Sequence, residues 1–272
     1  MMKDRIAEAC RKIRQERMLF PEVAIILGSG LGGLADSIEH PTKIPYSQIP
    51  HFPVTSAQGH AGNLVLGFLA GVPVVAMQGR IHRYEGFSPD EVCFPLRCMH
   101  QLGAQTLVVS NASGGLNPRY ISGDLVVIDQ HINFLGQPTR PESVNTTLSR
   151  NGEIYHRGLI ERAHDHARRN GFSLHQGTYL ATLGPTYETR SEYRFFRKTG
   201  ADVVGMSTVP EVLCAAEMGM RILAFSIVTN VALPDHSTST NHLEVISWSE
   251  IAAPKLRHVV TGLLQELAGP AD

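Results

Sequence analysis

The chain has 272 residues, 43% of them hydrophobic, with 24 Lys+Arg against 25 Asp+Glu and a net charge of −1. That is enough apolar material for one large core or two small ones, and the balanced charge argues against a partner held electrostatically, such as nucleic acid. No apolar run reaches the roughly 20 residues of a membrane helix, and the charged start at Met1–Arg17 has no signal-peptide core, so a soluble cytoplasmic protein is expected.

Val23-Ala24-Ile25-Ile26-Leu27 is an apolar run bounded by glycine and predicts a buried strand. Leu64–Leu69 and Val72–Met77 predict two strands joined around Ala70-Gly71. Ser88-Pro89-Asp90-Glu91 starts a helix: a serine cap, proline at the first position, and glutamate three residues after the cap. The helix is expected to run to about Leu102 and end at Gly103. Thr106–Ser110, Leu125–Ile128, Gly177–Thr182, Val203–Met206 and Ile222–Val228 read as further strands. Ile154–Asn170, Ser191–Thr199 and Pro210–Met218 read as helices, and Asn241-His242-Leu243-Glu244 opens a long last one.

Apolar strands alternating with helices imply an α/β fold with a central, mostly parallel mixed β-sheet flanked by helices. No linker, repeat or low-complexity tract divides the chain, so residues 1–272 are expected to form a single domain. The least regular stretch is Asn133–Asn151.

Cysteine and histidine usage excludes the common metal patterns. Cys10, Cys93, Cys98 and Cys214 show no CxxC spacing, and Cys93 and Cys98 fall in an apolar helical stretch, where they read as reduced and buried. There is no HExxH among the thirteen histidines. His164 and His166 sit in a charged helix and are expected to be solvated.

The richest chemistry lies in Gly79-Arg80-Ile81-His82-Arg83-Tyr84-Glu85-Gly86. A guanidinium fork suits phosphate oxygens, an imidazole shares a proton near neutrality, and a phenol offers an aromatic face with a polar tip. Together they suit a small ligand carrying phosphate, or phosphate and sugar; a surface loop with scattered charges explains the segment equally well on its own.

Gly28-Ser29-Gly30-Leu31-Gly32-Gly33 matches the dinucleotide fingerprint GxGxxG. That motif needs an acidic residue roughly 20 positions on, and no Asp or Glu stands between Glu39 and Glu85. A phosphate cradle of backbone amides and the Ser29 hydroxyl, or a plain tight turn, remain. Gln58-Gly59-His60-Ala61-Gly62 sets a histidine between glycines. Ser110-Asn111-Ala112-Ser113-Gly114-Gly115 follows a strand, where open α/β sheets bind ligands or simply turn. Gly184-Pro185-Thr186-Tyr187-Glu188-Thr189 pairs an aromatic with a carboxylate, or enters a helix. Val204-Gly205-Met206-Ser207 and Thr229-Asn230 also end strands, and an asparagine there offers both an acceptor and donors to a ring.

Taken in order with Leu116-Asn117-Pro118, Asp129-Gln130-His131-Ile132-Asn133 and Thr208-Val209-Pro210-Glu211, these blocks resemble the purine nucleoside phosphorylases of the trimeric, 6-oxopurine-preferring class. The resemblance runs from about residue 20 to 265. It implies phosphorolysis of purine nucleosides (inosine, guanosine and their deoxy forms) to free base and (deoxy)ribose 1-phosphate, a purine-salvage reaction. It implies a homotrimer, no metal or organic cofactor, and inorganic phosphate as co-substrate.

Carried over position by position, Ser29, His60, Arg80, Ala112 (through its backbone) and Ser207 are implied to hold phosphate. Tyr84, Met206 and His242 are implied at the sugar, and Tyr187, Glu188, Val204 and Asn230 at the base. Asn230, Glu188 and His82 are implied in catalysis. The family's segment after Asn133, which sends a phenylalanine to the neighbouring subunit's sugar site, is shortened and rewritten here between Phe134 and Tyr155. A methylthioadenosine-type phosphorylase commonly has aspartate where Asn230 stands and threonine in place of Ser207. A non-catalytic nucleoside-binding relative is supported only by the rewritten segment, and a nicotinamide-dependent oxidoreductase only by the glycine loop.

Overall fold

The computed structural model describes residues 2–57, 59–136, 153–231 and 242–268, the side chains of His242 and Ala268 excepted. Nine strands form one sheet: β1 (Val23–Leu27), β2 (Glu39–Pro45), β3 (Asn63–Leu69), β4 (Val72–Gln78), β5 (Thr106–Gly115), β6 (Leu125–Asn133), β7 (Leu174–Ala181), β8 (Val203–Gly205) and β9 (Arg221–Val231). Their order is β2-β3-β4-β1-β5-β8-β7-β6-β9, and β9 also pairs with β5. The last five strands therefore close on themselves, and β2-β3-β4-β1 extend from β5 as an open wing. Five of the nine ladders between described strands are parallel, so the sheet is mixed.

The helices are α1 (Met2–Glu16), α2 (Pro89–Leu102), α3 (Arg157–Arg169), α4 (Arg190–Lys198), α5 (Val209–Glu217) and α6 (His242–Ala268). α1 packs on α2 and α2 on α5, while α3 packs on α6, which covers β9. The central strands are buried on both faces, which is why β1 reads as an unbroken apolar run rather than an alternating one. β3 and β4 form the hairpin expected around Ala70-Gly71. α2 begins with the predicted capping box: Ser88 Oγ accepts from the Glu91 amide, and Glu91 accepts from the Ser88 amide.

Two expectations are corrected. The strand expected over Thr106–Ser110 runs on to Gly115, so of the two readings left for Asn111–Gly115 the turn falls away; β5 continues past a register shift between Ser113 and Gly114. His166 is not solvated: it is buried and lies 2.9 Å from Glu266 of α6. Gly262 leaves room for its ring, since a Cβ there would sit 2.3 Å from Nδ1. Helix periodicity puts His166 on the face shared with Leu159 and Ala163, which the charged neighbours obscured. All four cysteines are free and buried.

The long β5 creates the site. On one edge it pairs with β9 throughout. On the other edge it pairs with β1 from Thr106 to Val109 and with β8 only at Gly114 and Gly115. Between them, Ser110–Ser113 has no strand alongside, so β1 and β8 diverge and leave an opening over the middle of β5. Such a divergence at the carboxyl ends of parallel strands is where α/β sheets accept ligands.

Candidate active site

A cleft of about 310 Å³ fills this opening. Its walls include Ser29 after β1, Arg80 after β4, Ala112 on β5, Val204 to Ser207 at the end of β8, and Asn230 on β9. His82, Tyr84, Tyr187 and Glu188 complete it from the loops, and Val245 reaches in from α6. Segments scattered over two hundred residues thus meet because their strands are neighbours in the sheet.

One end of the cleft is built around Arg80, whose side chain is 1% exposed. Its Nη1 donates to Ser110 O at 2.9 Å, to Ser207 Oγ at 3.0 Å and lies 3.2 Å from Thr208 Oγ1. Nε donates to Glu211 Oε1 at 3.1 Å, and Nη2 lies 3.0 Å from the same oxygen. Ser110 O is reachable because the strand edge is open there. Backbone groups alternate sides along a strand, and Ser113 O faces β9, where it accepts from Thr229 Oγ1. Ser110 and Ala112 therefore point their backbone groups to the open side, which gives Ala112 an amide facing the cleft.

His60 stands behind this end rather than in the wall. Its Nδ1 accepts from the Arg80 amide at 2.7 Å, which leaves the proton of the neutral ring on Nε2, 3.1 Å from Ser29 Oγ. His82 is buried, stacks on Tyr84 with ring centroids 4.6 Å apart, and donates from Nδ1 to Glu85 at 3.2 Å. Burial lowers the His82 pKa, and the Arg80 charge lowers it further; the Glu85 hydrogen bond opposes them without restoring the ordinary value. A neutral ring that donates from Nδ1 presents Nε2 as an acceptor.

Glu85 is tied to two loops. It accepts from the His82 amide at 2.8 Å and from the Ser56 amide at 2.6 Å, with Thr55 Oγ1 at 3.1 Å. Thr208, fully buried, takes φ +73, a strained conformation for a residue with a Cβ, just before α5. Asn111 donates from Nδ2 to its hydroxyl at 2.8 Å and accepts through Oδ1 from Ser226 Oγ at 2.6 Å, so the strain is held by a buried polar chain.

At the other end, Val204 and Asn230 lie over Gly114: a Cβ there would be 3.4 Å from both side chains. Thr229 Oγ1 lies 3.3 Å from Asn230 Oδ1. Glu188 is half-buried and accepts from Thr182 Oγ1 at 3.2 Å. Burial raises its pKa, and hydrogen bonds from its own amide, Thr182 and Tyr193 offset part of that rise.

The glycine loop departs from the dinucleotide pattern in structure as well as sequence. It leads into a short 3-10 turn, Gly32–Ser37, and then β2, so the loop does not open an α-helix as the dinucleotide motif requires. Gly30, at φ +72, is pressed against α6, where a Cβ would meet Ser249 Cβ at 2.5 Å.

Of the residues singled out from the sequence, Ser29, Arg80, His82, Tyr84, Ala112, Tyr187, Glu188, Val204, Met206, Ser207 and Asn230 line the one cleft, with His60 hydrogen-bonded behind it. His242 is the first residue of α6, and its side chain lies outside the described part; so do residues 137–152, most of the rewritten segment. Sequence reading missed Glu211, Thr208, Thr182, Tyr193 and Val245. Only Glu211 carried a signal, as an acid in the first turn of an apolar helix.

Fold and site together define an α/β protein with a ligand cleft at the ends of its parallel strands. The sequence model of the phosphorylase superfamily matches residues 22–265, and the chain belongs to that family. It is 45% identical over 255 residues to purine nucleoside phosphorylase 1 of Bacillus subtilis, covering 92% of this chain and 93% of that one. The structure of a Schistosoma purine nucleoside phosphorylase in complex with hypoxanthine matches with a TM-score of 0.89, at 39% identity and 97% coverage of both chains. That of the Schistosoma mansoni purine nucleoside phosphorylase in complex with adenosine matches at 0.87, with 38% identity and 99% and 98% coverage.

Proposed function

We propose that the cleft catalyses phosphorolysis of purine nucleosides, releasing the free base and (deoxy)ribose 1-phosphate. One observation carries this reading: Arg80 and Ser207 at one end, and Glu188 and Asn230 at the other, line one cleft of about 310 Å³. Phosphate is held by Ser29, Arg80, Ser207, the Ala112 amide and, through Ser29, His60. His82, neutral and with Nε2 as acceptor, takes a hydrogen bond from a phosphate hydroxyl and so orients the ion. Tyr84 and Met206 face the sugar, and the same role is assigned to His242 on the resemblance alone.

Breaking the glycosidic bond leaves negative charge on the purine and positive charge on the sugar. Asn230 hydrogen-bonds the ring near N7 and O6, Glu188 accepts from N1–H, and the phosphate dianion faces the cationic sugar before bonding to it. This is positioning with electrostatic stabilisation, without a covalent enzyme intermediate. No metal or organic cofactor is needed, since phosphate itself is the nucleophile.

Glu188 as acceptor favours hypoxanthine and guanine nucleosides, which present N1–H, over adenosine, which presents a lone pair. A relative of this fold was solved with adenosine, so the preference is expected in kcat/KM rather than in binding alone. The whole chain forms one domain and acts in purine salvage in the cytoplasm; among the described residues no helix is long and apolar enough to cross a membrane. It assembles as a trimer, a reading supported by the exposed stack of Phe134 on Phe195, 6.2 Å between centroids, which a second copy can cover.

The test is cleavage of inosine with and without phosphate, with adenosine alongside. Turnover that requires phosphate supports the assignment; a folded protein inert towards inosine, guanosine and xanthosine rejects it in favour of a non-catalytic relative.

A further inference from the structure

Glu188 sits in an unusual setting for a carboxylate that must accept a hydrogen bond. It is half-buried in the wall of the cleft, and burial alone favours its protonated form. A protonated carboxyl donates, and would pair with the ring nitrogen of an adenine as readily as an ionised one pairs with N1–H of hypoxanthine. Base preference at this position therefore depends on what keeps Glu188 an acceptor.

Two hydroxyls face it. Thr182, one residue beyond β7, donates from Oγ1 to Oε1 at 3.2 Å, and its amide is fixed by Gly205 O at 2.9 Å. Tyr193, one turn into α4, is the second hydroxyl-bearing side chain whose interaction reaches this carboxylate. The Tyr193 ring packs with Leu116, Leu180, Phe196 and Val204, a small apolar cluster separate from the main core that forms the floor beside Val204. Its position is thus set by packing, and its hydroxyl is delivered to Glu188 without ordering cost at the time of binding. A tyrosine this far below its own ionisation donates and does not compete as an anion.

The other titratable groups around Glu188 do not supply that help. Glu192 of α4 is a like charge that pushes it towards protonation, though Thr189 occupies it through the amide and Oγ1, both at 2.7 Å. Tyr187 is adjacent and itself sits near Glu244 of α6.

We propose that Tyr193 and Thr182 are specificity-determining positioning residues, which hold Glu188 as a hydrogen-bond acceptor and thereby set the preference for purines that carry N1–H. The proposal rests on the base-binding role of Glu188 proposed for the cleft.

Tyr193→Phe keeps the ring in its cluster and removes only the hydroxyl; Thr182→Val does the same for the second donor. For each variant and the wild type, kcat/KM for inosine and for adenosine is measured from pH 5.5 to 8.5, with equilibrium binding of hypoxanthine and adenine measured by calorimetry. Loss of a hydrogen bond to a charged group predicts that the inosine-to-adenosine ratio falls about tenfold in Tyr193→Phe. The acid limb for inosine moves to higher pH, and the loss of discrimination deepens as pH falls. An equal loss for both nucleosides, or an acid limb left in place in both folded variants, overturns the proposal and leaves Tyr193 a packing residue. Failure of the wild type to cleave inosine rejects the catalytic reading instead; the hypoxanthine-to-adenine binding ratio then still decides, falling in Tyr193→Phe if the proposal holds and unchanged if it does not.

Discussion

Glu211 and Arg80, 131 residues apart in sequence, share a single carboxylate oxygen: Oε1 lies 3.1 Å from Nε and 3.0 Å from Nη2, with both side chains buried. The pair joins the first turn of α5 to the loop after β4. A carboxylate at that place also meets the positive end of the helix. The guanidinium is thereby fixed by contacts within the protein, the preorganisation that the proposed phosphate site calls for.

Removing one partner of a buried ion pair leaves the other charge uncompensated, which costs more than the pair contributes. Glu211→Ala is expected to lower unfolding stability by about 3–5 kcal/mol, read from the midpoint and slope of urea denaturation. A loss within about 0.5 kcal/mol, the size of an ordinary surface substitution, would refute this account of the pair.

Asn230 carries the hydrogen bonds to the leaving base in the proposed mechanism. Asn230→Ala is expected to cut kcat for inosine by about 10²–10³-fold, the usual scale for one preorganised donor to a developing charge. Steady-state kinetics at saturating phosphate measure it; an effect confined to KM would show that the contact is equally strong in the ground state.

The pH dependence of stability follows from Glu85. Burial pushes its carboxyl up, but hydrogen bonds from His82 and Ser56 outweigh this and hold it down at about 2, against an ordinary 4.5. A carboxylate depressed in the folded state stabilises fully above the unfolded value and loses that stabilisation as pH falls towards the folded one. The stability gap between wild type and Glu85→Gln is therefore expected to be constant above about pH 5 and to shrink below about 4.5. Urea midpoints from about pH 7 to 3.5 test this, and a gap that widens on acidification would reverse the sign.

Gly30 tests whether the glycine loop is built for a ligand or for packing. At φ +72 any side chain is strained, and a Cβ would also collide with Ser249 and come within 2.9 Å of Ile246 O. Gly30→Ala is expected to destabilise by about 2–4 kcal/mol through combined backbone strain and overpacking. Thermal unfolding reads the loss; an unchanged Tm would mean that α6 can move away from the loop.

Much of the fold is legible in the sequence alone. The capping box at Ser88 and Glu91, the hairpin at Ala70-Gly71 and the apolar run of β1 are local signals, each decided by residues a few positions apart. The candidate ligand residues are legible too, because strand-end motifs such as Val204-Gly205-Met206-Ser207 keep their chemistry in one short segment. The end of β5 is misplaced at Ser110 because the small and polar residues that follow also suit a turn; the ladder with β9 overrides that preference. His166 misreads because its pairing with Glu266 lies a hundred residues away.

The sequence by itself determined which chemistry is present: a guanidinium, hydroxyls, a carboxylate and an amide, placed at strand ends of an α/β chain. Only the tertiary structure decided where β1 and β8 part along β5, that Glu211 locks Arg80, and that Thr182 and Tyr193 meet at Glu188. The first two join distant segments through the sheet, and the third depends on how the loop after β7 folds back on itself, which no sequence pattern records.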